Sequence, residues 1–215
     1  MRTLRVVASL ALSLAIVAGP SPAAGTEEKE EGFKPLGNSK HMSDYDLVGA
    51  PASTWTVDDD VIKCSGKPNG YFATKKSFKN FALRFDFKYA RPAGLEDDSK
   101  FDGNSGYLIY ITGEHKVWPK SIEVQGLNRD AGKIFNIAGF PSIKAKDYPD
   151  ARKKALKPVG EWNKMEIISK DGALTSILNG TKVGESEPGE FKEGPIGFQS
   201  EGAEIHFRNL RIKEQ

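Results

Sequence analysis

The sequence predicts an all-β protein built as a sandwich of two antiparallel sheets. Three observations carry the prediction. Apolar and polar residues alternate through several short segments, the period of a strand with one buried face. Asp-Gly and Asn-Gly pairs divide the last third of the chain at spacings near ten residues, and such pairs supply the positive φ angles of tight hairpins. Helical periodicity is scarce, while 22 glycines and 12 prolines suit a turn-rich chain.

The chain opens MRTLRVVASLALSLAIVAGPSPAAG. A charged start at Arg2 and Arg5, an apolar run from Val6 to Ala18 and small residues at Ser21, Ala23 and Ala24 are the pattern of a signal peptide over residues 1–24. The run is short for a membrane span of about 20 residues. The expectation is therefore a secreted or periplasmic protein with no membrane span in its mature form. Residues 25–43 begin with a Glu-, Lys- and Gly-rich tract and read as a flexible lead-in. Residues 44–215 are expected to form one domain.

The elements follow in order. STWTVDDDVIKCSG places Trp55, Val57 and Val61 around an acidic turn. FALRFDFKY alternates, with Phe81, Leu83, Phe85, Phe87 and Tyr89 on one face and Ala82, Arg84, Asp86 and Lys88 on the other. SGYLIYIT (105–112) is apolar almost throughout, as a strand covered on both sides would be. SIEVQGL (121–127) sets Ile122 and Val124 against Glu123 and Gln125. YPDARKKALKP (148–158) is the one helix candidate. WNKMEIIS, ALTSIL, TKVGE, GPIGFQS and EIHFRNLRI complete the strands, with turns at Asp171-Gly172, Asn179-Gly180, Pro188-Gly189 and Glu201-Gly202. Trp162 reads as core packing, and His206 faces away from the core.

Charge and cysteine count remove several function classes. Without residues 1–24 the chain carries 29 Lys and Arg against 29 Asp and Glu, so no electrostatic case for nucleic acid exists. Cys64 is the single cysteine, which forbids an internal disulfide and a Cys-based zinc cluster, and it reads as buried filler. The three histidines, at 41, 115 and 206, have no helical metal-site spacing. No nucleophile elbow, phosphate loop or dinucleotide fingerprint is present.

The motifs NFALRFDFKY, GNSGYLIYI, IEVQ, GEWNKMEII, ILNGTKV and GPIGFQSEGAEIHFRNLRIK occur in the order seen in the 3-keto-disaccharide hydrolase family. The chain resembles that family over about residues 45–213. The resemblance implies a concanavalin-like jelly roll and cleavage of glycosides whose ring carries a 3-keto group, on the concave sheet face. Two positions depart from it. Many members carry Arg near the end of the strand after Asn104-Ser105-Gly106, where this chain has Tyr110. Members often carry His in the turn where Glu201 and Gly202 follow Ser200.

Conventional glycosidases use two carboxylates, which jelly-roll glucanases place at alternate positions of one strand. Here the positions after Glu123 are Gln125 and Leu127, so that route is disfavoured. A 3-keto group acidifies the hydrogen on C2, and a single base suffices for elimination followed by hydration. Glu123 is the candidate catalytic base and the first candidate ligand for a divalent cation; the alternative is the wet side of an ordinary strand. Gln125 would orient substrate or metal. Further candidate substrate contacts are Asn104 at the groove edge, Tyr110, Trp118 by stacking on a ring, His115, Arg84 and Gln199. Each has a bland alternative: turn formation for Asn104, a loop anchor for Trp118, a cross-strand charge ladder for Arg84. The acids Asp97, Asp98 and Asp102 read as solvated. The partner class is carbohydrate, and the rival reading is a non-catalytic, lectin-like carbohydrate-binding module.

Overall fold

The computed structural model describes residues 30–37 and 41–215. The signal peptide expected over residues 1–24 lies outside them, as do residues 25–29 and 38–40 of the lead-in. Strands β1 to β5 are Lys34–Pro35, Tyr45–Val48, Trp55–Asp58, Val61–Cys64 and Gly70–Thr74. Then come β6 (Phe81–Tyr89), β7 (Gly106–Thr112), β8 (Lys120–Gln125), β9 (Ile134–Ile137) and β10 (Ala145–Asp147). The helix α1 (Pro149–Ala155) precedes β11 (Asn163–Lys170), β12 (Ala173–Leu178), β13 (Thr181–Ser186), β14 (Gly197–Ser200) and β15 (Ile205–Glu214).

Two antiparallel sheets result. One runs β10-β13-β12-β11-β6-β15-β4-β3, with β1 paired to β15; the other runs β2-β5-β14-β7-β8-β9. This is the predicted all-β sandwich with a jelly-roll's long-range pairings. The alternation in β6 buries Phe81, Leu83, Phe85, Phe87 and Tyr89 between the sheets. Opposite them lie Phe72, Tyr107, Ile109, Ile122, Val124 and Phe198 of the six-stranded sheet. Phe72 and Phe198 stack at 5.0 Å between centroids, and Phe85 and Phe207 meet Phe198 edge-on. Such ring pairs add about 0.5–1.5 kcal/mol each beyond their burial.

The hairpin turns have the geometry that their sequences predict. Asp171-Gly172 joins β11 to β12 with φ of 51° and 91°, and Asn179-Gly180 joins β12 to β13 with 49° and 84°. Positive φ at both central positions matches the right-handed strand twist. Cys64 is buried as expected, with its sulfur accepting the Gly66 N–H. In α1, Arg152 is buried; its Nε donates to the Ala131 carbonyl at 2.9 Å and its guanidinium pairs with Asp147. That contact pins the connection between β8 and β9.

Two expectations change. The pair Lys34–Pro35, within the segment read as a flexible lead-in, forms ladder contacts with Ile212 and Arg211. Trp162 is not a core residue: it lies on the outer face of the nine-stranded sheet beneath Arg208 and Lys88, at 4.1 and 4.8 Å from its ring centroid. A ring that packs on two cations stays at the surface because each cation keeps its water on the far side.

Candidate functional site

The outer face of the six-stranded sheet holds the site. Ile122 and Val124 enter the inter-sheet core, so Glu123 turns outward, opposite Leu108 on β7 and Phe135 on β9. The face is nevertheless dry. Tyr71, Ala73, Leu108 and Ile111 form a second apolar cluster there, with Val48 and Ile137 packed against it.

Residues 113–119 cover this face as a strap. They leave β7 at Thr112 and enter β8 at Lys120, which are paired at one end of the sheet. Yet Val117 seats on Gly49, with Cγ2 2.6 Å from where a Gly49 Cβ would stand, and the Trp118 indole borders Glu201. Gly49 and Glu201 follow β2 and β14 at the sheet's other end, so the strap crosses the face lengthwise.

Under it, Gln199 extends the β14–β7 register to lie against Gly106. A Cβ on Gly106 would sit 2.0 Å from Gln199 Oε1 and 2.5 Å from Glu123 Oε1. Glycine is required there by space alone, since its φ is not positive. The missing side chain lets an acid from β8 and an amide from β14 converge above β7. Tyr71 pairs with Gln199 and extends the row onto β5. Glu123, Gln199 and Tyr71 are 5%, 2% and 0% exposed. Gln199 Oε1 and the Tyr71 hydroxyl have no hydrogen-bond partner among the described residues. Each such orphan costs about 1–3 kcal/mol, a cost that a polar ligand can offset.

The electrostatics agree with this dryness. Burial first, and the nearby Glu201 carboxylate second, push the Glu123 carboxyl up to about 8. A protonated Glu123 can donate to the otherwise unmatched Gln199 Oε1. Burial, then Asp46, raise Tyr71 to about 12, so its hydroxyl stays a neutral donor. Burial also raises Glu201, while hydrogen bonds from Trp118 and Asn104 draw it back. Beside the Asn104–Glu201 pair opens a groove of about 770 Å³, with Lys67, Arg91, Leu95, Phe101 and Ala203 in its walls.

The structure brings together Glu123, Gln199, Asn104 and Trp118 of the candidates read from sequence. Asn104 fills two roles: its Oδ1 accepts the Ser105 N–H at 3.0 Å, and it forms an isolated bridge with Glu201. Gln125 shares the face beside Gly106, but its Oε1 accepts the Leu127 N–H at 2.7 Å and so shapes the turn after β8. His115 is exposed on the strap.

Two candidates lie elsewhere. Tyr110 has φ of 59° and sits in a bulge that breaks the β7–β8 register between Ile109 and Thr112. The bulge inverts the alternation and turns Tyr110 into the inter-sheet core, where its hydroxyl meets Ser169 and the Lys79 carbonyl. Arg84 is on the outer face of the other sheet, paired with Glu166 at 2.8 Å, which is the ladder alternative. Asp97 and Asp98 serve the loop: Asp97 accepts the Ser99 N–H, and Asp98 pairs with Arg91 and accepts the Val159 N–H. Gly106, Tyr71 and Glu201 escaped sequence reasoning; only Glu201 had a signal, its place where members of the family often carry His.

The sequence profile of the 3-keto-alpha-glucoside-1,2-lyase-like domain matches residues 32–213. The chain belongs to this family. A 3-keto-disaccharide hydrolase of Bacteroides thetaiotaomicron is 27% identical, over 75% of this chain and 70% of the relative. Among solved structures, a Parabacteroides distasonis protein assigned as a glycosyl hydrolase is similar at 24% identity and a TM-score of 0.62, covering 88% of this chain and 97% of its own. The carbohydrate-binding module CBM66 of Bacillus subtilis is similar at 14% identity and a TM-score of 0.58, covering 80% and 96%. These two likenesses establish the fold that the 3-keto-alpha-glucoside-1,2-lyase-like domain shares with both.

Proposed function

We propose that this protein is exported and cleaves 3-keto-glycosides at the Glu123 site by elimination and hydration. The family and its hydrolase relative support a carbohydrate-active protein, either a hydrolase or a carbohydrate-binding module. The observation that favours chemistry is the carboxyl of Glu123, buried outside the core, raised to about 8 and set beside unpartnered polar atoms. A lectin face has no need of such a group; a base that takes a weakly acidic C–H does.

In this route ionised Glu123 takes the proton from C2, which the C3 ketone acidifies. The electron pair forms the enolate, and the negative charge gathers on the C3 oxygen. The Tyr71 hydroxyl is the neutral donor placed to stabilise that oxygen. Re-forming the ketone expels the group on C1, which leaves with a proton, and gives a C1–C2 double bond conjugated with it. Water then adds at C1 and a proton returns to C2. Trp118 at the rim offers an apolar ring face for a sugar, and the groove beside Asn104 offers room for the second residue.

A divalent cation would find hard oxygen donors in Glu123, Glu201 and Gln199, the donor class that suits Mg²⁺, Ca²⁺ or Mn²⁺. Among the described residues no group of three or more His, Cys, Asp or Glu stands ready to hold a metal. No step above is routed through one.

The test is incubation with a 3-keto-disaccharide in D₂O, with and without chelator, followed by product analysis. Expected are free sugars with deuterium at C2, and loss of product in Glu123→Gln. Wild-type cleavage by Glu123→Gln would refute the base assignment. Glycan binding without products, unchanged in Glu123→Gln, would favour the binding module.

A further inference from the structure

Without residues 1–24 the chain balances its acidic and basic residues, but the fold does not spread them evenly. On the outer face of the nine-stranded sheet, the adjacent strands β11, β6, β15 and β4 set cations in rows. Lys164, Asp86 and Arg208 make one row, and Glu166, Arg84 and Arg211 the next. Lys88, His206 and Lys63 form a third at one end of the strands, while Lys213 and Lys170 stand towards the other. Eight outward Lys and Arg thus face two acids on these four strands. Both acids are engaged within the face. Glu166 pairs with Arg84 at 2.8 Å; Asp86 accepts from Arg208 at 3.1 Å and from the Asn209 amide at 3.0 Å. At the border, Asp58 takes Lys63 and Glu204 takes His206.

This arrangement works against the stability of the sheet. Arg84 and Arg211 are direct cross-strand partners, where like charges are destabilising. Aromatic rings hold the cations in place. Phe33 lies against Arg84 and Arg211, at 4.5 and 5.9 Å from its ring centroid. Trp162 does the same for Arg208 and Lys88. Each ring brackets one cation of β6 and one of β15, fixing their stems while the outer sides stay hydrated. Neighbouring strands lie about 4.8 Å apart and alternate residues about 7 Å apart along a strand. The charges therefore form a grid and do not converge on one point. A grid fits an extended polyanion, not a single small anion.

We propose that this face docks the protein on an acidic polysaccharide. A chain of carboxylated or sulfated sugars presents one anion after another, and it needs rows of cations but no apolar seat. A lipid surface asks for apolar side chains that enter it, and the large exposed apolar residues among those described, Trp118 and Phe191, are not on these strands. Single-stranded nucleic acid asks for open ring faces on which bases stack, whereas Phe33 and Trp162 already carry cations. Glu123 lies on the outer face of the other sheet, so docking leaves that site open whatever reaction it performs.

The test is a binding titration with polygalacturonate, with neutral dextran as the control, and it needs no turnover. The protein should bind polygalacturonate and not dextran, and affinity should fall at least tenfold between about 50 and 200 mM salt. A triple variant, Lys88→Gln, Lys164→Gln and Lys170→Gln, spares both acid–arginine pairs; its affinity should drop by about tenfold or more. A control triple off this face, Lys133→Gln, Lys153→Gln and Lys154→Gln, removes the same charge and should stay within about twofold. Urea midpoints check that both triples fold. Absence of binding at low salt, equal losses in the two triples, or equal binding to dextran would overturn the proposal. So would binding to phosphatidylglycerol vesicles or to single-stranded DNA that matches or exceeds binding to polygalacturonate. If a triple does not fold, the salt, vesicle and DNA arms decide, since they use the unaltered chain.

Discussion

Replacing Glu123 with Gln isolates what the buried acid costs the fold. In the native state its carboxyl is raised from 4.5 to about 8, mainly by burial. Below about pH 4.5 both folded and unfolded chains hold the proton, and the group has no effect. Between 4.5 and about 8 the unfolded chain ionises while the folded one does not, so stability falls as pH rises. The slope is about 1.4 kcal/mol per unit, and the full loss is about 5 kcal/mol above pH 8. Gln keeps the shape, cannot ionise and can donate to Gln199 Oε1. The variant should match the wild type at pH 5 and exceed it by up to about 5 kcal/mol at pH 9, a Tm gap of about 10–20 °C for a domain of this size. Urea denaturation at pH 5, 7 and 9 measures the gap. Curves that stay parallel across this range would refute the buried-acid reasoning. A more stable but inactive variant would be the usual exchange of stability for function at a reactive site.

The neighbouring positions give further expectations. Gly106→Ala should fold, since its backbone is unstrained, but its methyl displaces Glu123 and Gln199; kcat/KM on a 3-keto-disaccharide should drop by about 100-fold. Tyr71→Phe removes a buried hydroxyl without a partner, so stability in urea should hold or rise by about 1 kcal/mol. The same change should cut kcat by about 100-fold if that hydroxyl meets the enolate. Tyr110→Phe should do the opposite, costing about 1–2 kcal/mol through Ser169 and Lys79 while leaving kcat/KM within about twofold. In the wild type, kcat/KM should climb with pH and level off above about 8, because the base must be ionised; a profile that falls over this range would make Glu123 an acid instead.

The fold was legible because its signals are local. The five alternating residues of β6 and the Asp-Gly and Asn-Gly turns each specify a strand or hairpin without reference to distant residues. The site was legible only in part, because its determinants are long-range. The strand period correctly put Glu123 opposite Ile122 and Val124, but the dryness of its face comes from a strap whose contacts lie at Gly49 and Glu201. Tyr110 was misplaced because a single left-handed residue inverts an alternation that sequence shows as unbroken. The face of Arg84 was legible but its sheet stayed open between groove and ladder, since periodicity assigns a face and never a layer. The second acid was sought two residues along β8, whereas antiparallel pairing brings it from near the end of the chain.

The pairing of Lys34–Pro35 with Ile212 and Arg211 has a practical meaning. β4 covers β15 only through Ile205, His206 and Phe207, so the end of that strand would otherwise show bare backbone on one side. Open backbone of that kind invites another chain to add to the sheet. Proline can sit there because an edge position asks for no donated hydrogen bond, and it halts any further addition. The seven residues from Glu31 to Gly37 therefore work as a stopper against self-association. A version of the protein cut at residue 44 would keep every group of the reactive site and still tend to come out of solution.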